Sequence, residues 1–139
     1  SNTLAILKER RADPRRILFT SSTSVYNQDD GSWVDEETPT SPDSFSGKTL
    51  LEGERLLFES GFSAVAVRLS GIYGPGRRRT IESVREGTAA PSAGAVQYMN
   101  HIHRDDCAGA LRHLLFAKNP ESLYIATDSD PADRNEILA

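Results

Sequence analysis

Hydrophobic positions along the chain follow two patterns, short continuous apolar runs and stretches with helical spacing. Continuous runs at 17–20, 64–69 and 122–127 predict buried strands, and 96–102 predicts a further short strand. Helical spacing predicts helices at 2–11, 44–60, 80–86 and 107–118, and the start of another at 134–139. Because strands and helices alternate, the pattern predicts an α/β fold with a parallel sheet.

Hydroxyl and glycine residues follow two of the predicted strands. A hydroxyl cluster at 20–24 ends the first strand, and a glycine-rich turn at 70–76 follows the second. Binding sites in such sheets lie at the carboxyl ends of strands, so both segments should face one crevice. The polar loop at 24–43 is long enough to suggest a functional loop covering something, with Trp33 either over the pocket or anchoring the loop. Asp43 or Ser44 is expected to cap the next helix, and Asp105 and Asp106 to open the helix at 107–118.

About three sheet strands can be counted, although buried parallel strands need cover on both faces. We therefore expect a fragment of a longer chain, or a small domain completed by a partner chain.

Composition excludes several classes of protein. The 139 residues carry a formal net charge of -4 and are 37% hydrophobic, as in an ordinary soluble domain. Cys107 is the single cysteine, and no Cys/His cluster has zinc spacing, which predicts a cytoplasmic protein without metal or disulfides. Membrane and nucleic-acid partners are not expected, although 77–79 is a local run of arginines.

Five strings occur in an informative order: FTSSTSVY, WVDEETP, SFSGKTLLEGE, VRLSGIYGPG and IHRDDCAGAL. Together they resemble the extended short-chain dehydrogenase/reductase family, the NAD-dependent epimerases and dehydratases, and in particular its atypical members. The resemblance implies the C-terminal half only of a Rossmann-type parallel sheet, at 1–86 and 103–127. Parts of a small substrate domain would occupy 87–102 and 128–139. The cofactor would be NAD or NADP, and the glycine-rich turn that cradles its pyrophosphate would lie upstream of Ser1.

The resemblance also implies a catalytic set, with Ser22 at a strand end and Lys48 on the following helix. Ser44 stands four residues before Lys48, where the family has tyrosine. Residues four apart share a helix face, and a cation can lower the pKa of a phenol from about 10 toward the working range. A serine hydroxyl is far more basic and needs a separate base. The acid/base could then be Ser44 through water, Tyr26, or the substrate itself.

Further contacts follow from the same resemblance. Cofactor contacts are expected from Thr20, Ser21, Ser22, Lys48, Leu69 and Ser70, and substrate contacts from Ser24, Tyr26, Gly71 and Arg77. Simpler interpretations stay open: Ser44 as a helix cap, Lys48 as a solvated lysine, Ser22 as part of a polar turn, Tyr26 as structural and the arginines as a surface run. Gly71, Gly74 and Gly76 would serve tight turns, and His103 and Asp106 would be structural, with Asp106 as a cap.

Two functions are therefore expected. The first is an NAD(P)-dependent epimerase/dehydratase-like oxidoreductase acting on a sugar or nucleotide-sugar-like substrate. The alternative is a catalytically inactive NAD(P)-binding sensor or protein-interaction module, and a fold without ligand is a third reading. A homodimer through the helix at 44–60 is possible, although its apolar stripe fits packing on the sheet equally well.

Overall fold

The computed structural model describes residues 3–89 and 96–138. Its helices are α1 (Thr3–Glu9), α2 (Phe45–Phe58), α3 (Arg79–Arg85), α4 (Arg104–Phe116) and α5 (Arg134–Leu138), with a 3-10 helix at Thr23–Val25. Its strands are β1 (Ile17–Ser22), β2 (Ala64–Leu69), β3 (Gly71–Tyr73), β4 (Tyr98–Met99), β5 (His101–His103), β6 (Leu123–Ala126) and β7 (Ala132–Asp133).

The main sheet of the described residues has three parallel strands in the order β1-β2-β6. The predicted parallel α/β fold is thus confirmed, and its three strands are those expected from the continuous apolar runs. Ser22 lies opposite Leu69 in the register, so the carboxyl ends of β1 and β2 are adjacent.

One face of β2 builds the hydrophobic core. Val65, Val67 and Leu69 point to this face, and they pack with Cys107 and Leu114 of α4. Val65 and Val67 are 2% and 0% exposed, and burying each such side chain stabilises the fold by about 1.5–3 kcal/mol. Because side chains alternate along a strand, the residues between these valines turn to the opposite face.

Helix α2 covers that opposite face at very short range. A Cβ added to Gly53 would lie 2.8 Å from Cζ of Phe19 on β1, closer than a real side chain permits. Glycine at this position therefore lets the helix backbone approach the strand. The phenylalanine ring occupies the space that a larger residue would need.

Several local expectations were wrong. The segment at 96–102 forms two strands, β4 and β5, interrupted at Asn100, whose carbonyl accepts a hydrogen bond from Gly71 N at 3.0 Å. Gly71 itself lies in a strand, β3, which pairs in parallel with β5. The three-residue strand β3 carries too little apolar pattern to be recognised.

The start of α4 also differs from the prediction. The helix begins at Arg104, and the Nδ1 atom of His103 accepts a hydrogen bond from Asp105 N at 3.3 Å. His103 therefore caps the helix in place of Asp105 or Asp106. The two aspartates lie in the first turn, where their charge favours the helix dipole.

The two segments assigned to a substrate domain contact each other through β4 and β7, which pair antiparallel. Their separation as a domain stays a prediction. Of the predicted turn-rich stretch at 87–94, residues 90–94 lie outside the described residues. No helix in the described ranges is long and apolar enough to cross a membrane.

Candidate functional site

The predicted hydroxyl cluster lies at the carboxyl end of β1. The Ser22 Oγ accepts a hydrogen bond from Ser24 N at 3.2 Å and so caps the 3-10 helix that follows. This contact uses one lone pair, and the hydroxyl proton remains able to donate. Thr20 is exposed. Leu69, across from Ser22, is 5% exposed and belongs to the core.

Ser70 is the strongest sign of a ligand at this sheet edge. The residue is 6% exposed, and within the described residues its Oγ has no hydrogen-bond partner. Leaving a buried hydroxyl unsatisfied costs about 1–3 kcal/mol, so such groups normally have a partner. The position has room in its hydrogen bonding for a polar group of a ligand, and its role as a cofactor contact stays a prediction.

Helix α2 brings Lys48 to the same end of the sheet. Ser44 caps the helix by accepting a hydrogen bond from Gly47 N at 3.0 Å, which confirms the capping interpretation. A Cβ on Gly47 would lie 2.5 Å from the carbonyl oxygen of Ser24, so the helix start sits directly against the turn after β1. Lys48, the next residue, is exposed.

A buried ion pair joins α2 to the sheet. Arg68 Nη2 and Nε donate to the Glu54 carboxylate at 2.7 and 3.0 Å, and the two side chains are 6% and 3% exposed. Ser21 Oγ donates to the same carboxylate at 2.5 Å. Although burial lowers the pKa of Arg68, the hydrogen bonds to Glu54 and Tyr26 raise it overall, so the guanidinium stays charged. The hydroxyl proton of Ser21 is therefore already donated to Glu54.

Tyr26 completes this network. Its hydroxyl accepts a hydrogen bond from Arg68 Nη1 at 2.6 Å and donates to the carbonyl of Asp35 at 2.8 Å. The guanidinium carbon also lies 5.0 Å from the centre of the tyrosine ring. Burial raises the pKa of Tyr26 above its usual 10.0, and the nearby Arg68 only partly opposes this shift. A neutral, doubly hydrogen-bonded phenol lacks the properties of a catalytic tyrosinate.

Sequence reasoning missed Glu54 and Arg68, although both left a signal. Arg68 interrupts the apolar run AVAVRL, and Glu54 falls on the helix face of Leu50 and Leu57. A charge in a buried strand together with an opposite charge on an apolar helix face indicates a buried pair, because isolated buried charges are rare.

The remaining predicted residues lie around the β3 turn and in the long loop. Gly71 is exposed in β3, where an added Cβ would lie 3.1 Å from the ring of His101. Gly74 and Gly76 have φ angles of 136° and 81°, which explains why glycine occupies both positions. Arg77 is exposed, and its backbone closes this turn onto Gly74. Trp33 is 88% exposed and does not anchor its loop within the described residues.

Two surface grooves are lined by other residues of the described chain. One, of about 700 Å³, lies between α4 and β6, and the other, of about 570 Å³, runs along α2 beside Lys48 and Glu54. Neither includes Ser22 or Ser70.

A comparison with known families matches residues 2–126 to the NAD dependent epimerase/dehydratase family. The chain belongs to this family. It is 39% identical over 119 residues to Protein YeeZ of Escherichia coli strain K12, covering 84% of this chain and 42% of YeeZ.

Two solved structures are similar to this chain. A Methylobacillus flagellatus protein described as an NAD-dependent epimerase/dehydratase superimposes with a TM-score of 0.84 at 40% identity, over 98% of this chain and 49% of that chain. MoeE5, solved in complex with UDP-glucuronic acid and NAD, gives a TM-score of 0.77 at 27% identity, over 91% of this chain and 47% of that chain. The chain therefore spans less than half the length of these relatives.

Proposed function

We propose that this chain is the catalytic half of an NAD(P)-dependent oxidoreductase acting on a sugar or nucleotide-sugar-like substrate. The observation that carries the proposal is the buried hydroxyl of Ser70 beside the end of β1, which has no hydrogen-bond partner among residues 3–89 and 96–138. Family membership supports an NAD-type cofactor, and the UDP-glucuronic acid and NAD in MoeE5 support the substrate class.

Each residue has a distinct role in this proposal. Lys48 holds the ribose hydroxyls of NAD(P), and Ser70 and Leu69 line its nicotinamide. Ser22 donates a hydrogen bond to the reacting oxygen of the substrate. Ser21 is left out of the cofactor contacts because its hydroxyl proton is donated to Glu54.

Thr20 is kept as a further cofactor contact, and the exposed Ser24, Gly71 and Arg77 are kept as substrate contacts. The Arg77 guanidinium would pair with phosphate oxygens of a nucleotide sugar. Tyr26 can meet substrate through its ring, since its hydroxyl is already bonded at both sides.

Bound NAD(P) would supply the hydride acceptor for oxidation of a substrate carbinol. The protein must also move the hydroxyl proton of that carbinol. Ser44 caps a helix, and the phenol of Tyr26 is held neutral. Water held by Ser44, or a group of the substrate itself, is therefore the route for this proton.

The experiment is a titration of the full-length parent protein with NAD, NADP and their reduced forms, followed by thermal shift and nicotinamide fluorescence. We expect saturable binding of one cofactor pair, and a rise in melting temperature with cofactor concentration. Lys48→Ala should weaken binding at least tenfold, while Lys118→Ala, a change of an exposed lysine just after α4, should leave it unchanged. Full binding and turnover by the Lys48→Ala protein would contradict the proposed site.

A second candidate function is a catalytically inactive NAD(P)-binding module that senses cofactor or pairs with a protein partner. Ser44 favours this second function, because it stands where the family has tyrosine and its hydroxyl is used to cap α2. This module would bind cofactor, yet no nucleotide sugar would change nicotinamide absorbance. Under the oxidoreductase proposal UDP-glucuronic acid and related nucleotide sugars should change it, and Ser44→Tyr should raise the rate.

We also propose that the parent protein pairs as a homodimer through α2. Phe45 and Phe58 are 86% and 42% exposed on this helix. Sedimentation of the parent protein should show a dimer that Phe58→Asp dissociates, and a monomer at all concentrations would contradict this pairing.

A further inference from the structure

The segment at 26–38, here called the strap, is attached to the sheet at two separated points. At its start, the Tyr26 hydroxyl is bonded to Arg68 of the central strand β2. Near its end, the carboxylate of Glu36 accepts a hydrogen bond from Ile125 N of β6 at 2.7 Å. The strap is therefore attached both to the central strand β2 and to β6, the far strand of the described sheet.

The strap also holds its own shape. Asp35 N donates to Thr38 Oγ1 at 2.9 Å, and the Thr38 hydroxyl donates to the Asp35 carboxylate at 2.7 Å. The hydrogen bond from Thr38 lowers the pKa of Asp35, so the carboxylate stays ionised. The Asp35 carbonyl, which this turn orients, is the acceptor for the Tyr26 hydroxyl. One phenol thus connects the strap turn to the buried guanidinium.

Tyr26 is also the last residue of the turn that orients Ser22. Its backbone N–H donates to the Thr23 carbonyl at 3.0 Å and closes the 3-10 helix at Thr23–Val25. Ser22 caps the other end of the same short helix. The carbonyl of Ser24, in the middle, lies against Gly47, the residue before Lys48. A shift of Tyr26 would consequently move both the Ser22 hydroxyl and the start of α2.

We propose that Tyr26 is a positioning residue, whose hydroxyl locks the strap and the turn after β1 so that Ser22 and Lys48 face the nicotinamide end of the cofactor. The inference rests on the proposed function. Tyr26 acts through Arg68 and Asp35 and exchanges no proton with the substrate. Its phenol is suited to this role because it donates and accepts at once, which phenylalanine cannot do.

The test compares Tyr26→Phe with Tyr124→Phe in the full-length parent protein. Tyr124 is a matched control because it is also partly buried and its hydroxyl also has a backbone partner, Glu121 N at 2.8 Å. Amide hydrogen exchange is measured first, without cofactor. We expect Tyr26→Phe to speed exchange at least fivefold in peptides covering 23–38 and at Ile125, and Tyr124→Phe to leave the peptides covering 23–38 unchanged. Unchanged exchange in Tyr26→Phe would contradict the claim that the Tyr26 hydroxyl holds the strap and the turn after β1 in place.

Affinity for two probes is measured next: ADP, which lacks the nicotinamide and the ribose attached to it, and NADH or NADPH, whichever the wild type binds. We expect Tyr26→Phe to weaken reduced-cofactor binding about fivefold while ADP affinity stays within twofold. Reduced-cofactor affinity within twofold of wild type would overturn the positioning role and leave the proposed function standing. A wild-type protein that binds none of these probes would overturn the proposed function itself.

Discussion

The buried pair of Glu54 and Arg68 should be worth far more to stability than any exposed ion pair on the same helix. Both side chains are at least nine-tenths buried, and two charge-assisted hydrogen bonds of 2.7 and 3.0 Å join them. Glu54→Ala leaves the guanidinium buried without its counter-charge, a change that typically costs about 3–5 kcal/mol. The ratio of folded to unfolded protein would fall by roughly a hundredfold to several thousandfold.

Replacing both partners at once shows how much of the stability loss comes from the ion pair itself and how much from the groups around it. Glu54→Leu with Arg68→Met fills similar volume with apolar groups, and such replacements are often nearly neutral. Here the hydroxyls of Ser21 and Tyr26 would each lose a partner, at about 1–3 kcal/mol for each group left buried and unsatisfied. The double variant should therefore be less stable than wild type, yet clearly more stable than the sum of the two single changes predicts.

The assay is urea unfolding of the parent protein followed by circular dichroism, as a complete double-variant cycle. Glu52→Ala provides the control, because Glu52 pairs with Arg55 on the same helix but the two side chains are 53% and 52% exposed. This control should shift the unfolding midpoint far less. If Glu54→Ala shifts the midpoint no more than Glu52→Ala, or the two single effects are simply additive, the pair does not anchor α2 as described.

Two further outcomes follow from the same helix and strap. Gly47→Ala should lower the melting temperature although alanine favours helices, because the new Cβ would lie 2.5 Å from Ser24 O. Gly109→Ala in α4 is the control, because its Cβ would meet nothing within 4 Å. This second change should raise the free energy of unfolding by up to about 1 kcal/mol. Burial raises the folded-state pKa of Tyr26 above 10.0, so its contribution to stability is complete below pH 10 and is lost as pH rises through the folded value. Urea midpoints between pH 9 and 11 should therefore fall more steeply for wild type than for Tyr26→Phe, and parallel slopes would contradict the shift.

The parts of the fold visible in the sequence are those encoded by neighbouring residues. β1, β2 and β6 were predicted because each is a continuous apolar run, and the cap at Ser44 because a serine preceding a helix satisfies a free amide. The positions of Ser22 and Ser70 at the carboxyl ends of β1 and β2 follow from the same local logic, since strand ends follow from strand positions. The adjacency of Ser22 and Leu69 is a direct consequence of parallel pairing.

The remainder depends on partners distant in sequence. Glu54 meets Ser21 across 33 residues, and the strap meets β6 across 89. The hydrophobic periodicity of the sequence gives no information on such long-range contacts. The pair β3 and β5 was missed for a related reason, because three-residue strands are fixed by the sheet registers and turns around them. The apolar pattern of β3 is too short to indicate a strand, whereas β5 overlaps the strand predicted at 96–102.

The carboxylate of Glu36 has a consequence for solubility. Hydrogen bonds from Ala66 N to the Ser122 carbonyl, just before β6, and from Ser70 N to the Ala126 carbonyl show which side of β6 faces β2. The Ile125 N–H therefore points to the opposite side, where no strand pairs with β6 among the described residues. Open strand edges invite pairing with other chains, and natural sheets protect them with charge. Glu36 occupies the N–H that an incoming strand would need, and its negative charge disfavours that approach. We therefore expect this one acidic side chain in the strap to disfavour edge-to-edge pairing of β6 with other chains.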